Sequence, residues 1–157
     1  MRNKKVFVYM AFIIVCQAAG LVGAVFTTPA IPGWYSGLIK PTFNPPNWIF
    51  SPMWTLLYVL MGISVSKVWL SSKNNQRKNG LKIFFIQLAL NTGWSIIFFG
   101  FKNIILALFE ILLLWISILI TIGKFWKIDK KSAYLLFPYI LWVSFAAILN
   151  LSILLLN

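Results

Sequence analysis

Gln87, Asn91, Trp94 and Ser95 recur at i, i+4, i+7 and i+8 in an otherwise apolar run, so a helix gathers them on one face. Trp54, Tyr58 and Met61 repeat the i, i+4, i+7 spacing, and Pro138, Trp142, Ala146, Leu149 and Asn150 make a third such side. Indole and phenol rings supply flat faces for stacking, while amides and hydroxyls fix orientation through hydrogen bonds. That is chemistry for holding a flat, largely apolar molecule. Bond-making chemistry has little to work with. The chain has no histidine, one cysteine (Cys16) and two acids, Glu110 and Asp129, which lie on different stretches. No carboxylate pair, nucleophile with a base, or metal-ligand spacing results.

The elements that must position these residues are membrane spans. Of 157 residues, 61% are hydrophobic and 10% charged, a composition outside the soluble range. Apolar runs at 6–28, 49–70, 81–101, 103–123 and 133–156 each approach the ~20 residues that a spanning helix needs. The predicted fold is an all-α integral membrane protein, a five-transmembrane-helix bundle forming a single domain over 1–157. The basic, then apolar N-terminus also has the outline of a signal peptide, with small residues at Gly23 and Ala24, but the apolar run is long and reads as an uncleaved first helix. Cys16, Gly20 and Ala24 at spacing four, with Ala19 and Gly23 beside them, predict close packing of that helix inside the bundle. Gln17 needs a partner in the protein or a ligand.

Between the first two spans, residues 29–48 predict a rigid, aromatic-rich lid. The stretch Trp34 to Tyr58 holds four of the seven prolines and three of the eight tryptophans, and proline fixes φ and lacks a backbone donor. Ser51 before Pro52 reads as the N-cap of the second helix, with Asn47 as the alternative. Residues 71–80, SSKNNQRKNG, predict a solvated turn. Pro138 predicts a bend in the fifth span. Glu110, within the fourth span, serves either structural hydrogen bonding or a ligand. Trp48, Trp69 and Trp126 fall at span ends, where an aromatic belt is expected, and Trp115 reads as packing.

The net charge of +12 is a topology signal rather than a nucleic-acid footprint. Twelve of the fourteen Lys and Arg residues precede the first span or surround the second and fourth connections; only Lys40 and Lys102 fall on the other side. The positive-inside rule predicts a multi-pass protein of the cell membrane, N-terminus cytoplasmic and C-terminus outside, touching membrane lipids and not nucleic acid. Helical rise then places Trp54 roughly 8 Å, Trp94 and Glu110 roughly 10 Å, and Asn91 and Ala146 roughly 15 Å below the outer surface, with Trp142 near the midplane. The stripes converge in the outer half, under the lid. Interhelical hydrogen bonding is the alternative reading of the polar stripe.

KPTFNPPNWIFSPMWTLLY, QLALNTGWSIIFFG and PYILWVSFAAILN resemble the three signature blocks of the translocator protein or tryptophan-rich sensory protein family, TspO. The resemblance spans nearly the whole chain. It implies a five-helix bundle, often dimeric, that binds tetrapyrroles and in some members sterols and benzodiazepine-type drugs. Carried over by position, its ligand pocket comprises Tyr35, Pro45, Phe50, Trp54, Tyr58, Asn91, Trp94, Ser95, Trp142, Ala146 and Leu149. Trp54 and Trp142 match two tryptophans linked in bacterial relatives to porphyrin breakdown under light. The sterol-recognition segment is absent, because Leu149 and Asn150 run into LSILLLN. Phe43 stands where some relatives have tryptophan.

The expected function is therefore a membrane receptor for a porphyrin or haem-like molecule, with roles in tetrapyrrole transport or stress regulation. No cofactor is expected beyond porphyrin as ligand, and Lys40 is placed to meet a propionate. Light-dependent porphyrin degradation through Trp54 and Trp142 is one alternative. A ligand-regulated scaffold is another, with Ala89 and Gly93 offering a homodimer interface.

Overall fold

The computed structural model describes residues 2–71 and 75–157. In chain order it contains α1 (Arg2–Ala30) continued by a π-helical turn (Ile31–Tyr35), α2 (Asn47–Trp69), α3 (Asn75–Ser95) with its own π-helical turn (Ile96–Gly100), α4 (Ile104–Trp126), the short α5 (Lys130–Tyr134) and α6 (Phe137–Leu156). Among the described residues, five helices are long and apolar enough to cross a membrane. α1 packs on α2 and α3, α3 on α4, and α4 on α5 and α6. Leu57, Met61 and Val65 of α2, Phe84 of α3, Ile111 and Ile118 of α4 and Tyr139 of α6 are buried at the centre. Phe84 and Phe125 stack there at 5.9 Å.

Helix α1 departs from the expectation of an interior helix. Its small residues do allow close approach: Gly20 lies against the Tyr58 ring, and a Cβ on Gly23 would lie 3.0 Å from Ser95 Oγ. The Thr92 hydroxyl donates to the Ala19 carbonyl at 3.1 Å, tying α3 to the same stripe. Yet Val15, Leu21, Val22 and Val25 are exposed, so the stripe serves one side and the other faces outward. α1 is peripheral.

The proline-rich connection is shorter than 29–48. Helical structure continues through Pro29 and Pro32, and the irregular stretch is confined to residues 38–46. Proline removes one backbone donor and crowds the preceding turn, and a widened π turn relieves both effects in an apolar setting. α2 starts at Asn47 behind Pro46, not at the predicted Ser51 cap, and Pro52 sits within it. Pro52 is the sixth residue, in the second turn, so its missing N–H leaves the Trp48 carbonyl without the usual helical donor, on an exposed side of the helix. Residues 75–80, assigned to the hydrophilic turn, are already helical; Ser72, Lys73 and Asn74 of that turn lie outside the described residues.

The expected bend at Pro138 is a break. α5 ends at Tyr134, Leu135 and Leu136 turn, and Pro138 enters α6 in its first turn. The prolyl ring cannot accept a continuous helix behind it, so the chain restarts. Asp129 caps α5, accepting from the Lys131 amide at 2.9 Å. It also pairs with Lys67 Nζ at 3.0 Å, joining the ends of α2 and α5.

Candidate functional site

The stripes meet beside the two π turns. In α3, Trp94 stacks on Phe98 at 5.1 Å, and Phe98 and Phe99, four residues after Trp94 and Ser95, stand on the same side. In the first connection, the π turn after α1 turns Tyr35 inward, where it meets Phe98 at 6.3 Å and Phe99 at 5.6 Å. Tyr35 donates from its hydroxyl to Asn44 Oδ1 at 3.0 Å, which holds the irregular segment over this edge. At the other end of the same segment, Asn157 Oδ1 accepts from the Ile39 amide at 2.9 Å and Asn157 Nδ2 donates to the Ile39 carbonyl at 2.9 Å.

Beneath lies a cavity of about 270 Å³. It gathers Tyr35, Phe50, Trp54, Tyr58, Trp94, Ser95, Trp142, Ala146 and Leu149. Trp54 stacks on Tyr58 at 5.6 Å, and Trp142 meets the Phe50 ring edge-on at 5.9 Å. Two residues of the expected set stand elsewhere. Pro45 lies in the overlying segment, its carbonyl accepting from Asn44 Nδ2 at 3.0 Å, and does not line the cavity. Asn91 is buried behind the wall: Tyr58 donates its hydroxyl to Asn91 Oδ1, and Asn91 Nδ2 donates to the Tyr139 hydroxyl oxygen at 3.0 Å. Tyr139 in turn donates to Gln87 Oε1 at 2.8 Å. The polar stripe of α3 thus divides, Ser95 and Trp94 on the cavity and Asn91 and Gln87 supporting it. Both original readings of the stripe hold, for different residues.

Asn150 belongs to the side of α6 already named but not to the expected pocket set, and Phe98, Phe99 and Ile31 carry no earlier assignment. Asn150 is buried, accepts from Trp94 Nε1 at 3.2 Å and donates to the Ile104 carbonyl at 3.1 Å, so it orients the indole. Its place eight residues after Trp142 was the available signal. Phe98 and Phe99 extend the α3 stripe at i+4 from Trp94 and Ser95, and Ile31 enters from the first π turn. Gln17 has a partner in the protein, donating to the Thr55 carbonyl at 2.9 Å, and it also lines the cavity. Trp115 is more than packing, because its Nε1 donates to Ser144 Oγ at 2.8 Å.

Lys40 is folded back on its own segment. Its ammonium donates to the Ser36 and Leu38 carbonyls at 3.3 and 3.0 Å and lies 4.8 Å from the Tyr35 ring centroid. Glu110 is buried in α4 and turned to α3, where a Cβ on Gly93 would lie 3.7 Å from its Oε1. It does not line the cavity. Gly93 is therefore directed at α4, while Ala89 is exposed.

The rim of the cavity differs from its floor. Leu21, Ala24 and Thr28 of α1 and Asn47, Ser51 and Thr55 of α2 line it and are exposed, whereas Leu149, Asn150 and Ile153 of α6 are buried. The cavity reaches the surface between α1 and α2.

A bundle of five membrane-spanning helices enclosing a tryptophan-lined cavity under a short aromatic connection is the class of protein these features define. The model of the TspO/MBR family matches residues 12–156, and the chain belongs to that family. It is 42% identical to the tryptophan-rich protein TspO of Chlorobaculum tepidum, covering 99% of each chain. It is 38% identical to protein CrtK of Rhodobacter capsulatus, over 95% of this chain and 92% of the relative. The translocator protein of Homo sapiens is 34% identical, over 90% of this chain and 85% of the relative.

Proposed function

We propose that this protein is a membrane receptor for porphyrins of the protoporphyrin type, bound in the α1–α2–α3–α6 cavity, with a role in tetrapyrrole transport or stress regulation. The observation that carries the reading is the set of Trp54, Trp94, Trp142, Tyr58 and Phe50 around one cavity. Such walls suit a flat, conjugated ligand, and Ser95 and Asn150 supply polar contacts within them. At about 270 Å³ the cavity is at the small end of the ~300–1,000 Å³ usual for ligand sites. The macrocycle is therefore held in part, its remainder extending through the rim between α1 and α2. The chain has no histidine, the usual haem ligand, which favours a metal-free porphyrin. In this reading the N-terminus is cytoplasmic and the cavity opens in the outer half of the bilayer, following the positive-inside rule.

Protoporphyrin titrated against tryptophan fluorescence in detergent tests the proposal. Trp142→Ala is expected to weaken binding about tenfold, equivalent to ~1.4 kcal/mol, because one aromatic face is lost. Unchanged affinity in the Trp54→Ala, Trp142→Ala double variant sinks it.

A second reading, light-dependent degradation of the bound porphyrin by dioxygen, is favoured by one observation: both Trp54 and Trp142 border the same cavity. The pigment would carry the chemistry, and the indoles would act as its redox partners. Illuminated product formation that persists when both tryptophans become phenylalanine eliminates it.

A further inference from the structure

The far end of the bundle carries a second surface that the cavity does not involve. Lys127, Lys130 and Lys131 are exposed where α4 passes into α5. Asp129 lies among them, but its carboxylate is already paired with Lys67 of α2. That is the sole ion pair among the described residues, so the positive charge of the three lysines is locally uncompensated. Lys130, Tyr134 and Phe137 stand at i, i+4 and i+7, and the ring contact between Tyr134 and Phe137 at 5.3 Å shows that the α5–α6 break keeps them on one side. Trp126, at the end of α4, completes the strip: its ring is 5.1 Å from Tyr134, and Lys130 Nζ lies 5.7 Å from its centroid. All three rings are exposed.

The order of chemistries along this strip is directional. Lysines come first; helical rise then places Tyr134 about 6 Å further along, and Phe137 follows at the start of α6, beyond the turn at Leu135 and Leu136, toward the apolar interior. A cationic head followed by an exposed aromatic track matches a molecule with an anionic head and an apolar tail. We propose that this face binds a phospholipid with a net negative headgroup, its phosphate held by Lys127, Lys130 and Lys131 and an acyl chain lying along Trp126, Tyr134 and Phe137. The site is independent of any ligand in the cavity. It also differs from the diffuse attraction of a basic end to an anionic leaflet, because it requires these three lysines and these rings together.

Lipid binding to the purified full-length chain, followed by native mass spectrometry, tests this with phosphatidylglycerol and phosphatidylcholine as probes. Phosphatidylglycerol is expected to bind more tightly. A Lys127→Gln, Lys130→Gln, Lys131→Gln triple variant is expected to lose about a hundredfold of that affinity, about fivefold per lysine, from ~1 kcal/mol each. A control that removes the same charge elsewhere, Lys4→Gln, Lys5→Gln, Lys82→Gln, is expected to retain it. Equal losses in both triples, or no loss in the first, overturn the site. Tyr134→Ala is expected to weaken a long-chain phosphatidylglycerol but not a short-chain one; equal effects on both overturn the acyl track. Competition by inorganic phosphate at concentrations comparable to the lipid overturns the lipid as the occupant.

Discussion

Asn91 shows how one side chain shapes the cavity without entering it. It joins the hydroxyls of Tyr58 and Tyr139, and Tyr58 in turn supports the Trp54 ring. Replacing it with alanine leaves the buried Tyr58 hydroxyl without its acceptor, costing about 1–3 kcal/mol, while Tyr139 keeps its bond to Gln87. Asn91→Ala is expected to lower thermal stability in detergent and to weaken porphyrin binding indirectly, whereas Ser95→Ala, on the cavity wall, should alter binding with little change in melting temperature. Gly20 is the counterpart on α1. A Cβ there would collide with the Tyr58 ring, and overpacking of this kind costs about 1–3 kcal/mol. Gly20→Ala is therefore expected to displace Tyr58, reading out as a lower melting temperature and a changed tryptophan emission spectrum, since Trp54 stacks on that ring.

At the level of elements, the spans were legible because ~20 apolar residues leave few other options in a chain this size. The side chains of α6 and α2 were legible too, since an uninterrupted helix preserves i, i+4, i+7 relations from Trp54 to Tyr58 and from Trp142 to Leu149. The same relation runs past Ser95: Phe98 and Phe99 stand four residues after Trp94 and Ser95, and both are cavity residues although they lie in the π turn at Ile96–Gly100. By contrast, proline content argued for a loop from residue 29, while the helix persisted to Tyr35 because backbone groups in an apolar setting must be bonded internally. Polar partners across helices, such as Asn150 with Trp94, depend on packing that no single stretch encodes.

The link between α2 and α5 carries its own prediction. Burial opposes the charged form of Asp129, but hydrogen bonds from Lys67 and from the Lys131 amide, with the Lys67 charge, hold its carboxyl below the usual value. A depressed carboxylate contributes stability above its ordinary titration range and loses it as pH falls through the lowered value. Asp129→Asn retains an oxygen to cap α5 and removes only the charge. It is expected to destabilise by at most about 1 kcal/mol at neutral pH, given the partial exposure of the pair. In thermal scans against pH, the gap between variant and parent should close toward strongly acidic pH; a gap independent of pH would mean that packing, not charge, joins these helices.

For the whole molecule, the segment over the cavity is anchored at two places of different kind. One is the Tyr35–Asn44 bond within the connection itself. The other is Asn157, whose amide holds both sides of the Ile39 peptide while also donating to the Ile153 carbonyl at 2.8 Å in the last turn of α6. One side chain therefore links a connection near residue 39 to a helix end 118 positions away. Raising the segment breaks the same bonds that stop α6 from fraying, so the two behave as one opening unit in the sense of native-state exchange. Amide deuteration at Ile39 should proceed at a rate shared with the last turn of α6, and Asn157→Ala should accelerate both while leaving the α2 and α4 amides protected. Two unrelated rates at those positions would show that cavity cover and helix end move separately.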